Sequence, residues 1–98
     1  MPRTVEVLTY DGSIEIYRHS WTSAIDLSVC IKSLKDGIKR KYVFAKSHNK
    51  MVIDNLDAKT EYKVFIQAKR MIDKCIQLPR KIRLLPNTNQ LRVIFIGS

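Results

Sequence analysis

Alternation of apolar and polar residues with a period of two constrains this chain more than any other feature. Two such runs, from Thr4 to Leu8 and from Ser13 to Arg18, are separated by Asp11-Gly12. That dipeptide tolerates the positive φ of a two-residue hairpin turn. Because successive side chains of a strand point to opposite faces, each run predicts a strand with one buried and one wet face. The chain is expected to open with a β-hairpin.

The segment from Ser23 to Leu34 is the one place where helical and strand patterns compete. Some of its apolar residues suit one face of a helix, but four follow the two-residue period, and three of these are β-branched. The four are Ile25, Leu27, Val29 and Ile31. We predict a strand over residues 25–32. A ubiquitin-like fold, with residues 21–34 helical, is the alternative.

Further runs rich in β-forming residues predict strands over residues 40–46, 51–54, 62–69 and 81–85, and a last apolar run covers 91–96. Glycine, proline and asparagine punctuate the chain between them. Short strands spaced by turn signals, with no convincing helix, predict an all-β sandwich or barrel.

Length and composition fit one globular domain. The chain has 98 residues, of which 45% are hydrophobic and 28% charged, so a two-domain enzyme and disorder throughout are excluded. Its longest apolar runs are far shorter than the ~20 residues that span a bilayer, so no membrane association is expected. With Met1 as the natural start, residues 1–20 show no secretory signal. An intracellular location with Cys30 and Cys75 as free thiols is therefore expected.

Residues that carry chemistry are not arranged for catalysis. His19 and His48 have no cysteine or carboxylate at ligand spacing, and Cys30 and Cys75 are 45 positions apart. No glycine-rich loop precedes a helix. The sequence predicts neither an enzyme nor a metal or cofactor site.

The segment from Asn55 to Ala68 resembles the E-to-F segment of a fibronectin type III domain, whose pattern is Leu-x-Pro-x-Thr-x-Tyr-x-Val-x-Val-x-Ala. Ile66 replaces the second valine and Ala58 the proline, and the remaining positions match outright, at Leu56, Thr60, Tyr62, Val64 and Ala68. The resemblance implies an immunoglobulin-like β-sandwich of seven strands over residues 1–86. The apolar run near the C-terminus predicts an additional strand in residues 87–98, beyond the part that the resemblance covers. It also implies that the Tyr62 hydroxyl bonds to upstream backbone.

Two features depart from the family pattern. The core tryptophan of the family's second strand should fall near Tyr17 or Arg18, whereas the sequence has Trp21. Either Trp21 caps the core from the following turn, or a bulge shifts the strand. The second departure is the run at residues 90–96, which has no family counterpart.

Charge is distributed unevenly along the chain. The formal net charge of +9 divides into −2 for residues 1–31 and +11 for residues 32–98. In a fibronectin-like sandwich, the strands of the second part largely share one sheet, which predicts a basic outer face. The residues expected to point outward are Lys32, Lys63, Phe65, Gln67, Lys69, Lys81 and Arg83, with Lys39, Arg40 and Lys41 in turns at the edges.

An outward aromatic residue among cations suggests binding. Phe65 is expected to stack on a nucleic-acid base or to anchor a protein partner with an acidic rim. In the alternative interpretation the lysines only keep the domain soluble, and the additional strand covers Phe65.

The C-terminal run has apolar residues on both faces, which an open sheet edge does not tolerate. These residues are Leu91, Val93, Ile94, Phe95 and Ile96. The run is expected to form a hairpin with residues 81–85 or to pair with a second chain in a homodimer. The sequence thus predicts a non-enzymatic protein–protein interaction module, for which self-association through this strand is one of the two ways of covering it. Nucleic-acid binding by the basic face is the alternative function.

Overall fold

The computed structural model describes residues 4–18, 25–68, 82–87 and 89–95. Within these ranges the protein is all-β and contains no helix, as the sequence predicts. The strands are β1 (Thr4–Tyr10), β2 (Ser13–Arg18), β3 (Leu27–Ser33), β4 (Lys39–Phe44), β5 (Lys50–Ile53), β6 (Tyr62–Ala68), β7 (Ile82–Leu84) and β8 (Leu91–Phe95).

The strands form two antiparallel sheets of four strands each. The first sheet has the order β5-β2-β1-β8 and the second the order β4-β3-β6-β7. Every second residue of the central strands points into a shared core, with Val5 and Ile16 from the first sheet and Val29 and Val64 from the second. Burying each such side chain stabilises the fold by about 1.5 to 3 kcal/mol. The fold is therefore a β-sandwich held by one apolar core.

Strand β3 resolves the competition between helix and strand. It pairs with β4 on one side and β6 on the other, so the helix of the ubiquitin-like alternative is wrong over Leu27–Ser33. Ser28 and Cys30, on the face away from the core, are also buried. Strand β3 is therefore buried on both faces over Leu27–Ile31, although its apolar residues alternate with a period of two.

Strand β8 does not form the expected hairpin with residues 81–85. It pairs with β1 of the other sheet, from Leu8 opposite Leu91 to Thr4 opposite Phe95. The connection after β7 therefore crosses from the second sheet to the first. On the way, the carbonyl of the buried Pro86 accepts a hydrogen bond from the N–H of Gly12, in the turn between β1 and β2, at 2.6 Å. Gly12 adopts a φ of 81° and lies so close to the Leu56 carbonyl that a Cβ would stand 3.3 Å from it. The hairpin turn and the crossing connection thus share one tightly packed end.

Tyr62 begins β6 and fixes the loop that precedes it. Its ring is buried, and its hydroxyl accepts a hydrogen bond from the backbone N–H of Asp57 at 2.8 Å, as the sequence predicts. Leu56 is buried in the core beside it. The loop is thereby tied to the strand by a polar and an apolar contact.

The substitution Tyr62→Phe is expected to lower the free energy of unfolding by about 1 to 2 kcal/mol, because the ring stays buried while the Asp57 N–H loses its acceptor. Urea unfolding measures the change. Tyr42→Phe is the matched control, since Tyr42 lies in the same sheet and is only partly buried. Equal midpoints for Tyr62→Phe and the wild type would contradict this role of the hydroxyl.

Candidate functional site

Four cations cross the outer face of the second sheet in one row. The strand registers place Lys32 opposite Lys39 of β4 and Lys63 of β6, and Lys63 opposite Arg83 of β7. These residues, Lys39, Lys32, Lys63 and Arg83, are called the cation row below. At about 4.8 Å between neighbouring strands, their backbone positions span roughly 14 Å. Each strand of the sheet contributes one positive charge to the row.

The surroundings of the cation row are basic. Among the described residues that the registers place on this face there is no aspartate or glutamate. Lys41 lies on the same face one position further along β4, opposite Cys30. Glu61 precedes β6, and its Oε2 lies 3.3 Å from Nε of Arg83, so one end of the row is partly neutralised. The rest forms the basic face that the sequence predicts.

The expected position of Lys39, Arg40 and Lys41 in turns is wrong, because all three lie in β4. Lys39 and Lys41 are exposed, but alternation directs Arg40 to the opposite face. Its guanidinium donates to the carbonyls of Asp54 at 3.1 Å and Asn55 at 2.8 Å. Arg40 therefore anchors the loop after β5 and is not part of the outer basic face.

Phe65 is not the stacking residue that the sequence predicts. It lies on the outer face opposite Cys30, but only 7% of its surface is exposed. Its neighbours Ser28 and Gln67 are buried as well. Strand β8 does not provide the cover, because it belongs to the other sheet. Stacking of a base on Phe65 is therefore excluded in this conformation, and binding by this face depends on the cations.

Cys30 is disulfide-bonded, so the prediction of a free thiol at this position is wrong. The bond lies on the same outer face as the cation row, on the central strand β3. The sequence offers one other cysteine to an intramolecular bridge, Cys75, which lies outside the described residues. His19, Trp21, Lys69, Lys81 and Ile96 also lie outside them, as does the free-thiol prediction for Cys75.

Strand β8 presents the second candidate surface. It forms one edge of the first sheet, and no described strand pairs with its outer side. The side chains of Leu91 and Val93 are 57% and 56% exposed on the outer face, beside Leu8 and Glu6 of β1. Pairing with β1 thus covers one edge of β8, as expected of pairing within the chain. It leaves the apolar side chains on the outer face of the sheet exposed.

The backbone of β8 also has groups that no described strand pairs with. Thr9 N donates to Gln90 O at 3.1 Å, and antiparallel ladders bond every second residue to the neighbouring strand. Residues 92 and 94 therefore bond to β1, whereas residues 91, 93 and 95 direct their N–H and C=O groups away from it. Such an edge is a template for another strand.

Arg18 is an unusual core residue that the sequence analysis did not single out for this role. It ends β2 on the inner face and is 6% exposed. Its guanidinium donates to the carbonyls of Ile25 at 2.7 Å and Phe44 at 2.6 Å, and lies 4.2 Å from the centre of the Phe44 ring. Burial lowers the pKa of Arg18, while the nearby Asp26 raises it. The residue cross-links the two sheets where the resemblance implies a tryptophan.

The open end of the sandwich near Tyr62 has a cavity of about 160 Å³, partly lined by Asp36 and Asp57. Backbone N–H groups of Ile38 and Lys59 lower the pKa of Asp36 and Asp57, respectively, and the Thr60 hydroxyl also lowers that of Asp57. Both carboxylates are thus charged and occupied in holding turns. Neither is poised as a general acid or base.

Comparisons with known proteins add no family assignment. The sequence matches no protein-family model, and no curated protein matches it significantly. In the part of the chain that the structure describes, no helix has the length and apolar character needed to cross a membrane. The same residues contain no cluster of three or more histidine, cysteine or acidic side chains around a common point. The two candidate sites are therefore the cation row and the edge of β8.

Proposed function

We propose that this chain is a fibronectin type III-like, non-enzymatic interaction domain that binds a protein partner through the free edge of β8. The fold assignment is supported by the strand order, because β4, β3, β6 and β7 share one sheet as strands C′, C, F and G do in that family. It is also supported by the contact between the Tyr62 hydroxyl and Asp57. Domains of this kind carry their functions on surfaces and not in the fold itself.

The observation that carries the functional proposal is the edge of β8 that pairs with none of the described strands, together with the exposed Leu91 and Val93. A strand of a partner that adds to this edge gains the hydrogen bonds of residues 91, 93 and 95 and covers Leu91 and Val93. A second copy of the chain provides both the hydrogen bonds and the cover, because two β8 strands pair antiparallel about a two-fold axis. With the axis at Val93, each Val93 lies opposite its equivalent and Leu91 lies opposite Phe95. The proposed assembly is a homodimer with one continuous eight-stranded sheet.

Val93→Lys tests the proposed dimer. We expect the variant to be monomeric at concentrations where the wild type is dimeric, because two lysines then lie opposite each other and lysine on an edge opposes pairing. Light scattering over a dilution series measures the mass. Val43→Lys is the matched control, since Val43 is also an exposed valine in an edge strand, at 53%, and gains the same charge.

Two results would contradict the dimer. One is a wild type that stays monomeric at every concentration. The other is equal loss of association in Val93→Lys and Val43→Lys, which would indicate a general effect of charge. A third result separates the two parts of the proposal. If the wild type is monomeric, and a partner protein binds the wild type but not Val93→Lys, the β8 edge is an interaction site and only the homodimer is wrong.

Nucleic-acid binding by the second sheet is the alternative function. The cation row supports it, whereas the burial of Phe65 removes the only aromatic residue expected to stack on a base. What remains is contact with phosphates, whose affinity falls with salt at a slope of about −0.9 per phosphate contacted on duplex DNA. A binding measurement at several salt concentrations distinguishes this mode from the apolar edge of β8, which responds little to salt.

The disulfide at Cys30 bears on the compartment. The intracellular location was expected from residues 1–20 and implied free thiols, whereas Cys30 is disulfide-bonded and disulfides persist mainly in oxidising compartments. We therefore favour an oxidising compartment over the reducing cytosol. The partner would then be a secreted or cell-surface molecule.

A further inference from the structure

We propose that β8 is an exchangeable strand, and that the edge of β1 which it covers also accepts β8 of a second copy of the chain. In the exchanged pair, β8 of each copy lies on β1 of the other. The exchange uses the edge of β8 that faces β1, whereas the dimer proposed above uses the opposite edge. The strand exchange therefore does not depend on that dimer, and its interaction surface is the edge of β1.

The attachment of β8 to its own sheet is chiefly a backbone attachment over residues 91–93. Leu91, Arg92 and Val93 are all exposed. Arg92 lies on the core side of the sheet, opposite the buried Val7, and is nevertheless exposed. This part of β8 is thus held by the hydrogen bonds of the ladder more than by burial. Segments with few buried contacts open more easily than the core of a domain.

The connection to β8 allows the strand to leave without disturbing the strand before it. β7 ends at Leu84 in the second sheet, and β8 begins at Leu91 in the first. The Pro86 carbonyl accepts a hydrogen bond from the Gly12 N–H, and the Gln90 N–H donates to Oγ1 of Thr9 at 3.0 Å. Both contacts lie at the hairpin end of β1. Detachment of β8 therefore breaks contacts with the first sheet, while β7 keeps its place in the second.

The edge of β1 lacks the residues that usually protect a strand from pairing. The segment that faces β8, Thr4–Leu8, contains no lysine and no proline. The edge strand β4 of the second sheet, in contrast, carries three cations, Lys39, Arg40 and Lys41. Once β8 leaves, the backbone of β1 is a template for another strand.

A second copy of β8 is the occupant that fits this edge best. Its register with β1 already exists in the closed chain, from Leu91 opposite Leu8 to Phe95 opposite Thr4. The same hydrogen bonds form in the closed and in the exchanged state, so the two states differ mainly in the path of the connection and in the freedom lost when two copies join. Because the exchanged state contains two copies, its share rises with protein concentration.

Hydrogen exchange on the unmodified chain tests whether β8 detaches on its own. Alternation along the ladder directs the N–H groups of Val5 and Val7 to β8, and those of Glu6 and Leu8 to β2. We expect the protection factors of the first pair to be at least about tenfold lower, because only β8 has to leave. Equal protection of all four amides would overturn the proposal, since β8 would then open only together with the hairpin.

A cross-link between isotopically labelled copies detects the strand exchange itself. Leu8 and Leu91 lie opposite each other without mutual hydrogen bonds, the arrangement in which the Cα atoms approach to about 4.5 Å. Leu8→Cys/Leu91→Cys should therefore form a disulfide wherever β8 pairs with β1. Light and heavy-isotope chains of this variant are unfolded and refolded together at high concentration, with the native disulfide intact, and are then oxidised. Mass spectrometry of the linked peptides shows whether a link joins one chain or two.

Glu15→Cys/Val52→Cys is the matched control, because this pair lies on the same face of the same sheet but joins β2 and β5. In the dimer fraction we expect about half of the links between positions 8 and 91 to join a light and a heavy chain, because copies pair at random. The control links should stay within one chain. Val93→Lys in the same background should leave the mixed links in place, since its lysine opposes pairing only at the other edge of β8 and lies beside Glu6.

Three results of this measurement would overturn the strand exchange. Dimers whose links all lie within one chain show that the copies associate without exchanging β8, and the edge-to-edge dimer then stands. Chains that stay monomeric at the highest concentration contradict the exchange and that dimer together. Mixed links that are as frequent in the control pair indicate reshuffling of thiols. If Leu8→Cys/Leu91→Cys does not fold, Glu6→Cys/Val93→Cys, the next such pair along the ladder, is read by the same criteria.

Discussion

Replacing Arg18 with alanine is expected to lower the free energy of unfolding by about 3 to 5 kcal/mol. The guanidinium donates to the carbonyls of Ile25 and Phe44, and it packs against the Phe44 ring. Alanine leaves these carbonyls without their donor at the end of the core and creates a cavity beside Phe44. Arg18 belongs to the first sheet, whereas the Ile25 carbonyl lies just before β3 and the Phe44 carbonyl at the end of β4 of the second sheet. The loss of both hydrogen bonds therefore loosens the packing between the sheets. Urea unfolding followed by circular dichroism measures the change.

Two further substitutions sharpen this test. Arg18→Lys keeps a cation but cannot donate to two carbonyls from one planar group, so we expect an intermediate loss. Arg92→Ala is the matched control, because Arg92 is an exposed arginine of the same sheet and should change stability by less than about 0.5 kcal/mol. Equal effects of Arg18→Ala and Arg92→Ala would show that Arg18 does not cross-link the sheets.

Loss of the disulfide is expected to be comparably damaging. Cys30→Ser should lower the free energy of unfolding by about 2 to 4 kcal/mol, because the cross-link at Cys30 removes conformational freedom from the unfolded chain. The measurement is a denaturation curve of the oxidised wild type, of the reduced wild type and of the variant.

A cycle of variants identifies the partner of Cys30. If Cys75 is the partner, Cys75→Ser and the double variant should each cost the same as Cys30→Ser, because one bond is lost in all three. Peptide mapping without reductant should then recover a cross-linked peptide that contains both cysteines. Two titratable thiols in the native protein would contradict the bond and would restore the argument for a reducing compartment.

The strands with one wet face were predictable from the sequence. The predicted bounds of β2 are those observed, and β6 begins at the predicted residue and continues to Ala68, the last residue described in this segment. Strand β2 alternates cleanly between core and surface, so its pattern of side chains records the structure directly, whereas β6 also buries Phe65 and Gln67 on its outer face. The position of β8 was not predictable in the same way. Apolar residues on both of its faces show that the strand needs cover, but local pattern does not indicate which edge of which sheet supplies it.

The residues of the candidate sites were also predictable only in part. Alternation gives the face to which a side chain points, but not what covers that face or what the side chain contacts. Alternation correctly placed Lys32, Lys63 and Arg83 on one outer face, but it assigned Phe65 to that face without indicating that the face is covered there. The role of Arg18 was hardly predictable from the sequence, because its hydrogen-bond acceptors are backbone carbonyls, which every residue type has. Only the missing tryptophan near this position indicated that the core is built differently there.

The pairing of β8 with β1 has a consequence for folding kinetics. The contact between Thr9 and Gln90 joins residues 81 positions apart, whereas the β1–β2 hairpin closes over a two-residue turn. Loop closure over the longer distance costs more entropy, so the hairpin is expected to form early and β8 to join late. Until it does, β1 is itself an open edge with Val5 and Val7 poorly covered. The folding intermediate should therefore be the species most prone to aggregate, and a slow last phase should report the arrival of β8.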